Sequence, residues 1–201
     1  MFEEGFFQHA IIYGPVILFS LTLHEYFHAW MAYRFGDDTA ARMGRLTLNP
    51  LAHLDLFGTI VMVLSGFRFG WAKPVPVNPM NLQNPRVADF WISAAGPLSN
   101  LALAAVAGLI FRATSAPEVA QQIMVATVVI NVTLAFFNLI PLFPLDGSHI
   151  LRNLLPREAE SAMNRFDQFA PYILMIIVVS GVFWRLIGPF VMGVVQFLLG
   201  F

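Results

Sequence analysis

Three stretches of this chain are apolar for long enough to cross a lipid bilayer, and nothing constrains its folding more. They run from about Ala10 to Tyr33, from Val87 to Phe111 and from Val119 to Leu142. A helical span needs about 20 such residues. Inside the bilayer the chain must satisfy its own backbone hydrogen bonds, so these runs are read as helices. Shorter apolar runs occupy Leu54–Phe67, Phe169–Trp184 and Ile187–Phe201. Hydrophobic residues make up 58% of the chain and charged residues 11%, against about 25% charged in a soluble domain. The expected fold is all-α and polytopic, with five to six transmembrane or re-entrant helices. The 201 residues leave no room for a sizeable second domain. Residues 1–201 are read as one unit, with a core over about 10–151 and C-terminal helices over about 168–201.

Composition also excludes some functions. There is no cysteine, hence no disulfide and no thiolate metal site. The net charge of −1, with no basic tract, gives no sign of nucleic acid binding. Met1 to Phe7 carries Glu3 and Glu4 and no basic residue, which argues against a cleaved secretory signal. The expected setting is the cell membrane, with several passes and lipid as the surrounding partner.

Charge placement sets the expected orientation. If Leu54–Phe67 does not cross, Arg34, Arg42, Arg45, Arg68, Lys73 and Arg86 share one side. The second and third long runs then form a hairpin, which returns Arg152, Arg157 and Arg165 to that side. Only Arg112 and Arg185 are left opposite. The positive-inside rule makes the basic side cytoplasmic and puts the N-terminus outside. Leu54–Phe67 is therefore read as re-entrant or interfacial, with Gly58 and Gly66 fitting a segment that bends. The last two short runs are expected as tilted spans or as a hairpin around Arg185 and Gly188-Pro189.

The first long run contains His24-Glu25-Tyr26-Phe27-His28. Residues four apart on a helix lie about 40° and about 6 Å apart, so both imidazoles can reach one metal ion. Glu25 points to a neighbouring sector, where it can hold and deprotonate a water at the metal. This is the equipment of a zinc hydrolase, placed in the cytoplasmic half of a span. Such zinc sites use three protein ligands. Among the candidates for the third, His9 precedes the first span on the wrong side. His53 and His149 are possible, and Asp146 is the strongest. It follows Asn138-Leu-Ile-Pro141-Leu-Phe-Pro144-Leu, whose prolines, with Gly147, break the helix end. An acidic side chain at that depth needs a partner, and a metal is a good one.

HEYFH in an apolar run, followed by NLIPLFPLDG, resembles the site-2 protease family of intramembrane zinc metalloproteases (peptidase family M50). Further matches are Gly44-Arg-Leu-Thr-Leu-Asn-Pro-Leu-Ala-His53, Phe69-Gly-Trp-Ala-Lys-Pro-Val-Pro-Val-Asn78 and Ala95-Gly96-Pro97-Leu98-Ser99-Asn100. The likeness covers about Leu21 to Leu151 and is to the small bacterial and archaeal members. It implies one Zn2+ per chain on His24, His28 and Asp146, with Glu25 as the general base. It also implies cleavage of single-span membrane proteins near the cytoplasmic side. Asn138 is a candidate hydrogen-bond donor to the substrate carbonyl or the ligands.

A substrate span must unwind before it is cut. Val75-Pro76-Val77-Asn78-Pro79 cannot be helical and favours extended backbone. A short β or extended element is thus expected at the cytoplasmic face, pairing with unwound substrate through Val75 and Val77 or through Leu46–Leu48. His53 is a candidate for contact with substrate or metal ligands, although an imidazole satisfying loop backbone is the stronger expectation. His149 is expected to bond locally. Asn100 is expected as an interhelical hydrogen bond beside a close-packing Ala95-Gly96-Pro97, with contact to substrate or ligands as a further candidate role. Asp37-Asp38 reads as a solvated turn. The rival readings are a divalent-metal transporter and a catalytically silent membrane scaffold. A transporter would more often carry inverted repeats and polar sites along a path.

Overall fold

The computed structural model describes residues 4–66 and 70–201, with side chains from residue 10 onward. His9, Arg68, Phe69 and the Met1–Phe7 stretch lie outside the described side chains. The described residues are helical and hold no sheet; Leu54 and Ala72 form an isolated antiparallel bridge.

Three helices are long and apolar enough to cross a membrane. They are α1 (Glu4–Arg34), α4 (Pro85–Ala113) and α5 (Glu118–Asn138). Between α1 and α4 lie α2 (Thr39–Arg42) and α3 (Leu56–Leu64). After α5 come α6 (Asp146–Leu154), α7 (Glu160–Asp167), α8 (Ala170–Val179), α9 (Val182–Leu186) and α10 (Gly188–Leu199). The central element is α4, which packs against α1, α5, α6 and α10. Small residues on α4 let its neighbours approach closely, and Ala95, Gly96, Ala104 and Gly108 are all buried. Large apolar side chains such as Phe19, Leu98, Val106 and Leu109 face outward, as lipid contact requires.

Local chemistry sets the ends of these helices. After α1, Gly36 adopts φ +101° and the Asp37 N–H bonds back to the Ala32 carbonyl, a glycine C-cap. At α4, Asn84 caps the Val87 N–H and Pro85 occupies the first turn. Helix α5 stops at Asn138, short of the expected Leu142, because the proline-rich turn takes over. Helix α3 has nine residues, about 14 Å, too few to cross a core of about 30 Å. Gly66 ends α3 at φ +66°. Gly58 does not bend it. A Cβ there would lie 2.2 Å from the Trp71 carbonyl, so Gly58 lets Gly70 and Trp71 lie directly on α3.

The C-terminal part forms three helices where the sequence shows two apolar runs. Gly181, at φ +73°, separates α8 from α9. Helix α10 lies against α4 and α5, where Val191, Val195 and Leu199 meet Ala104, Ala107, Val128 and Val132. Phe183 stacks edge-on against Phe137 at one end, with centroids 5.5 Å apart. Phe201 meets Phe111 at the other, and Gly200 adjoins Arg112. Arg185, two residues past Phe183, therefore lies near the Asn138 end of α5. It does not share the Arg112 side.

Candidate metal centre

His24 and His28 project from α1 toward α4, and Asp146 opens α6. The His24 and His28 Nε2 atoms are 2.9 Å apart. Asp146 Oδ2 lies 3.3 Å from the first and 3.4 Å from the second. For bonds near 2.05 Å, the edge of a tetrahedral zinc shell is about 3.3 Å. The three atoms therefore form a triangle of the right size for one face of that shell.

Proton placement supports a cation here. The Nδ1 of His28 faces the Ile92 carbonyl at 2.7 Å, which can only accept. The Nδ1 of His24 faces Asn100 Oδ1 at 2.7 Å. The Asn100 amide nitrogen donates to Asn131 Oδ1 and to the Ser20 carbonyl, so its oxygen is the acceptor. Both imidazoles thus spend their proton at Nδ1 and turn Nε2 lone pairs toward each other. Asp146 Oδ2 is buried without a hydrogen-bond partner. Two lone pairs and an orphaned carboxylate oxygen converge, a donor set that suits Zn2+. Gly96 makes the convergence possible, because a Cβ there would sit 2.3 Å from His28 Nε2 and 2.6 Å from His24 Cε1.

Asn100 fulfils the interhelical expectation and also orients the His24 imidazole. Asn131 completes the network by donating to Ser20 Oγ and the Thr127 carbonyl. Sequence reading missed it. The available signal was an amide in the middle of an apolar run, which rarely stands there without a partner.

The centre borders a cavity of about 690 Å³ that also reaches Glu25, Asn138, Asp89 and His149. Residues 70–78 form an extended strap over it. Three N–H groups hold the strap: Lys73 to the His53 carbonyl, Val75 to Glu25 Oε2 at 3.0 Å, and Asn78 to Asp37 Oδ2 at 2.7 Å. Asp37 is fully buried, so it is no solvated turn. Burial alone would raise its pKa, but hydrogen bonds from Thr39, Asn78 and Asn81 hold it below the usual carboxylate range. Asp38 does face outward, paired with Arg42.

His53 is also buried, with Nε2 toward the Thr47 carbonyl and Nδ1 toward Arg45. It braces the loop beneath the strap and does not line the catalytic cavity. Asn138 lines the cavity while donating to the Leu134 carbonyl of its own helix. His149 does not bond locally. Its partner is Asp89 of α4, 3.4 Å away.

Comparison with known proteins agrees with this geometry. The sequence model described as Peptidase family M50 matches residues 13–123 and 109–181. "Putative zinc metalloprotease YwhC" of Bacillus subtilis (strain 168) is 39% identical over 173 residues, covering 82% of this chain and 78% of that protein. "Putative zinc metalloprotease Rip2" of Mycolicibacterium smegmatis (strain ATCC 700084 / mc(2)155) is 31% identical over 81% of this chain. Its Mycobacterium tuberculosis (strain ATCC 25618 / H37Rv) namesake is 34% identical over 80%. The chain spans less than two thirds of these Rip2 proteins, 64% and 63%. No solved structure matches the chain.

Proposed function

The chain belongs to peptidase family M50, and from that premise we propose that it is a zinc endopeptidase that cuts single-span membrane proteins within the bilayer, near its cytoplasmic side. The observation that carries this reading is the convergence of His24 Nε2, His28 Nε2 and the otherwise unpartnered Asp146 Oδ2 beside Glu25. These three residues would hold Zn2+. When bound, the ion lowers the pKa of a coordinated water toward about 7 and polarises the peptide carbonyl.

Glu25 takes the proton of the attacking water and returns it to the leaving amine. Its carboxylate accepts from the Val75 N–H. That bond holds Glu25 toward the strap and away from its own helix. Asn138 offers its second amide hydrogen to the substrate carbonyl. Asn100 and the Ile92 carbonyl fix the tautomers on which metal binding depends.

Substrate enters as an unwound strand beside the strap. Pro74 and Pro76 have no N–H, and the N–H groups of Lys73 and Val75 are already engaged. The Lys73 carbonyl is taken by Arg45, so the strap offers an incoming strand its other carbonyls together with the Val77 N–H. The basic residues between α1 and α4 and after α5 make that face cytoplasmic, with the N-terminus outside.

The Glu25→Gln variant tests the reading. It should keep a wild-type zinc content and cut no single-span substrate in proteoliposomes. Wild-type cleavage by that variant would remove Glu25 as the base. Membrane proteomics with active and Glu25→Gln enzyme should then reveal the substrates as accumulated single-span stubs.

A further inference from the structure

The metal centre and Glu25 account for the nucleophile. Hydrolysis also places negative charge on the scissile oxygen, and a donor aimed at that charge is worth far more in a low-dielectric site than in water. One histidine–aspartate pair beside the centre has no part in the scheme so far. On α4, Asp89 lies one helical turn before Ile92, whose carbonyl orients His28. On α6, His149 lies one turn after Asp146. Residues three apart share a helix face, so His149 lies on the same face of α6 as Asp146, and Asp89 lies one turn from the carbonyl that orients His28. Both line the 690 Å³ cavity, and both also line a second cavity of about 480 Å³ beside it.

The imidazole is tethered at one nitrogen. His149 Nδ1 faces Asp89 Oδ2 at 3.4 Å, and Asn153 Nδ2 donates to the same oxygen at 2.6 Å. No described residue takes up Nε2, which leaves it as the ring's free donor position. The charged groups acting on His149 are Asp89 from α4, and Asp146 and Arg152 from its own helix. The hydrogen bond to Asp89 is the largest influence and holds the imidazole pKa above its ordinary value.

We propose that His149 is a further catalytic residue, donating from Nε2–H to the oxyanion that develops on the scissile carbonyl, with Asp89 as its positioning residue. The proposal rests on the endopeptidase reading. As the water oxygen bonds to the carbonyl carbon, its proton passes to Glu25 and the carbonyl electron pair moves onto oxygen, facing His149. When the C–N bond breaks, the carbonyl re-forms and the amine takes the proton from Glu25. His149 keeps its proton throughout. The role needs the protonated ring, so kcat should fall as pH rises through the His149 pKa. Without the Asp89 charge that fall should come at lower pH.

The test uses the purified full chain in proteoliposomes with a cleavable single-span substrate, alongside Glu25→Gln. His149→Ala should lower kcat about 100- to 1000-fold, with KM within about threefold of wild type and zinc content unchanged. His149→Gln, whose amide can donate, should recover part of kcat and lose the alkaline limb. Asp89→Asn should keep zinc and move that limb to lower pH. An active wild type with unaltered kcat in His149→Ala would overturn the assignment alone. So would loss of zinc from both His149 variants, because the residue would then be structural. A wild type that cuts nothing, or a fully active Glu25→Gln, would overturn the endopeptidase reading and His149 with it.

Discussion

At the residue scale, the proposed centre depends on side chains besides its three ligands. Asn100→Ala removes the acceptor that keeps the proton of His24 on Nδ1. Loss of such a partner typically weakens metal affinity by about 10- to 100-fold, so zinc should be stripped from this variant at correspondingly lower chelator concentration. Gly96→Ala pushes a methyl group into both imidazoles. Purified Gly96→Ala should therefore carry much less zinc, and full occupancy would show that α4 yields at this point. The grouping of His24, His28 and Asp146 was legible in the sequence because its signals are local. Two histidines sit four apart, and one aspartate follows a proline-broken helix end. Asp37 and His149 were misread for the opposite reason. Their partners, Asn78, Asn81 and Asp89, lie 41, 44 and 60 positions away, and no local pattern signals such a pairing. Asp37→Ala removes the acceptor of the Asn78 N–H on the strap and of the Thr39 and Asn81 donors beside it, a loss of about 1–3 kcal/mol, read as an earlier thermal unfolding in detergent. Because the Asp37 pKa is depressed in the fold, its contribution is present above about pH 4 and fades as pH falls through the folded value.

At the element scale, the strap over residues 70–78 is where backbone chemistry meets function. The prolines at 74, 76 and 79 made its extended form legible, and the basic residues flanking Leu54–Phe67 made that run readable as non-crossing. Its anchoring was not legible, because it depends on glycines and carboxylates from three other segments. The two valines separate its roles. Val75→Pro removes the N–H that holds Glu25 and should lower cleavage with zinc unchanged. Val77→Pro removes an N–H that no described residue uses, so it tests strand pairing alone. It too should lower cleavage with zinc retained, and normal cleavage by Val77→Pro would retire strand addition as the mode of substrate binding. The broken C-terminal run was legible only as apolar. Its three-helix form depends on Gly181 at positive φ and on packing of α10 against α4 and α5, which a run of hydrophobic residues does not encode.

At the scale of the whole molecule, the account needs one orientation and one ion. The absence of cysteine makes the orientation accessible to single-cysteine labelling. A membrane-impermeant thiol reagent should reach Ser115→Cys, in the α4–α5 turn, from outside the cell. Arg157→Cys should react only once the cytoplasmic face is opened, and the reverse pattern would invert the topology. The placement of Arg185 near the Asn138 end strengthens the basic asymmetry and leaves Arg112 as the one described cation at the far end. The ion is tested most directly by zinc K-edge X-ray absorption on the purified chain. The account predicts two imidazole nitrogens and a carboxylate oxygen at about 2.0–2.2 Å, with the shell preserved in Glu25→Gln and lost or altered in Asp146→Ala. A shell unchanged by Asp146→Ala, or a purified wild type that binds no zinc, would contradict it.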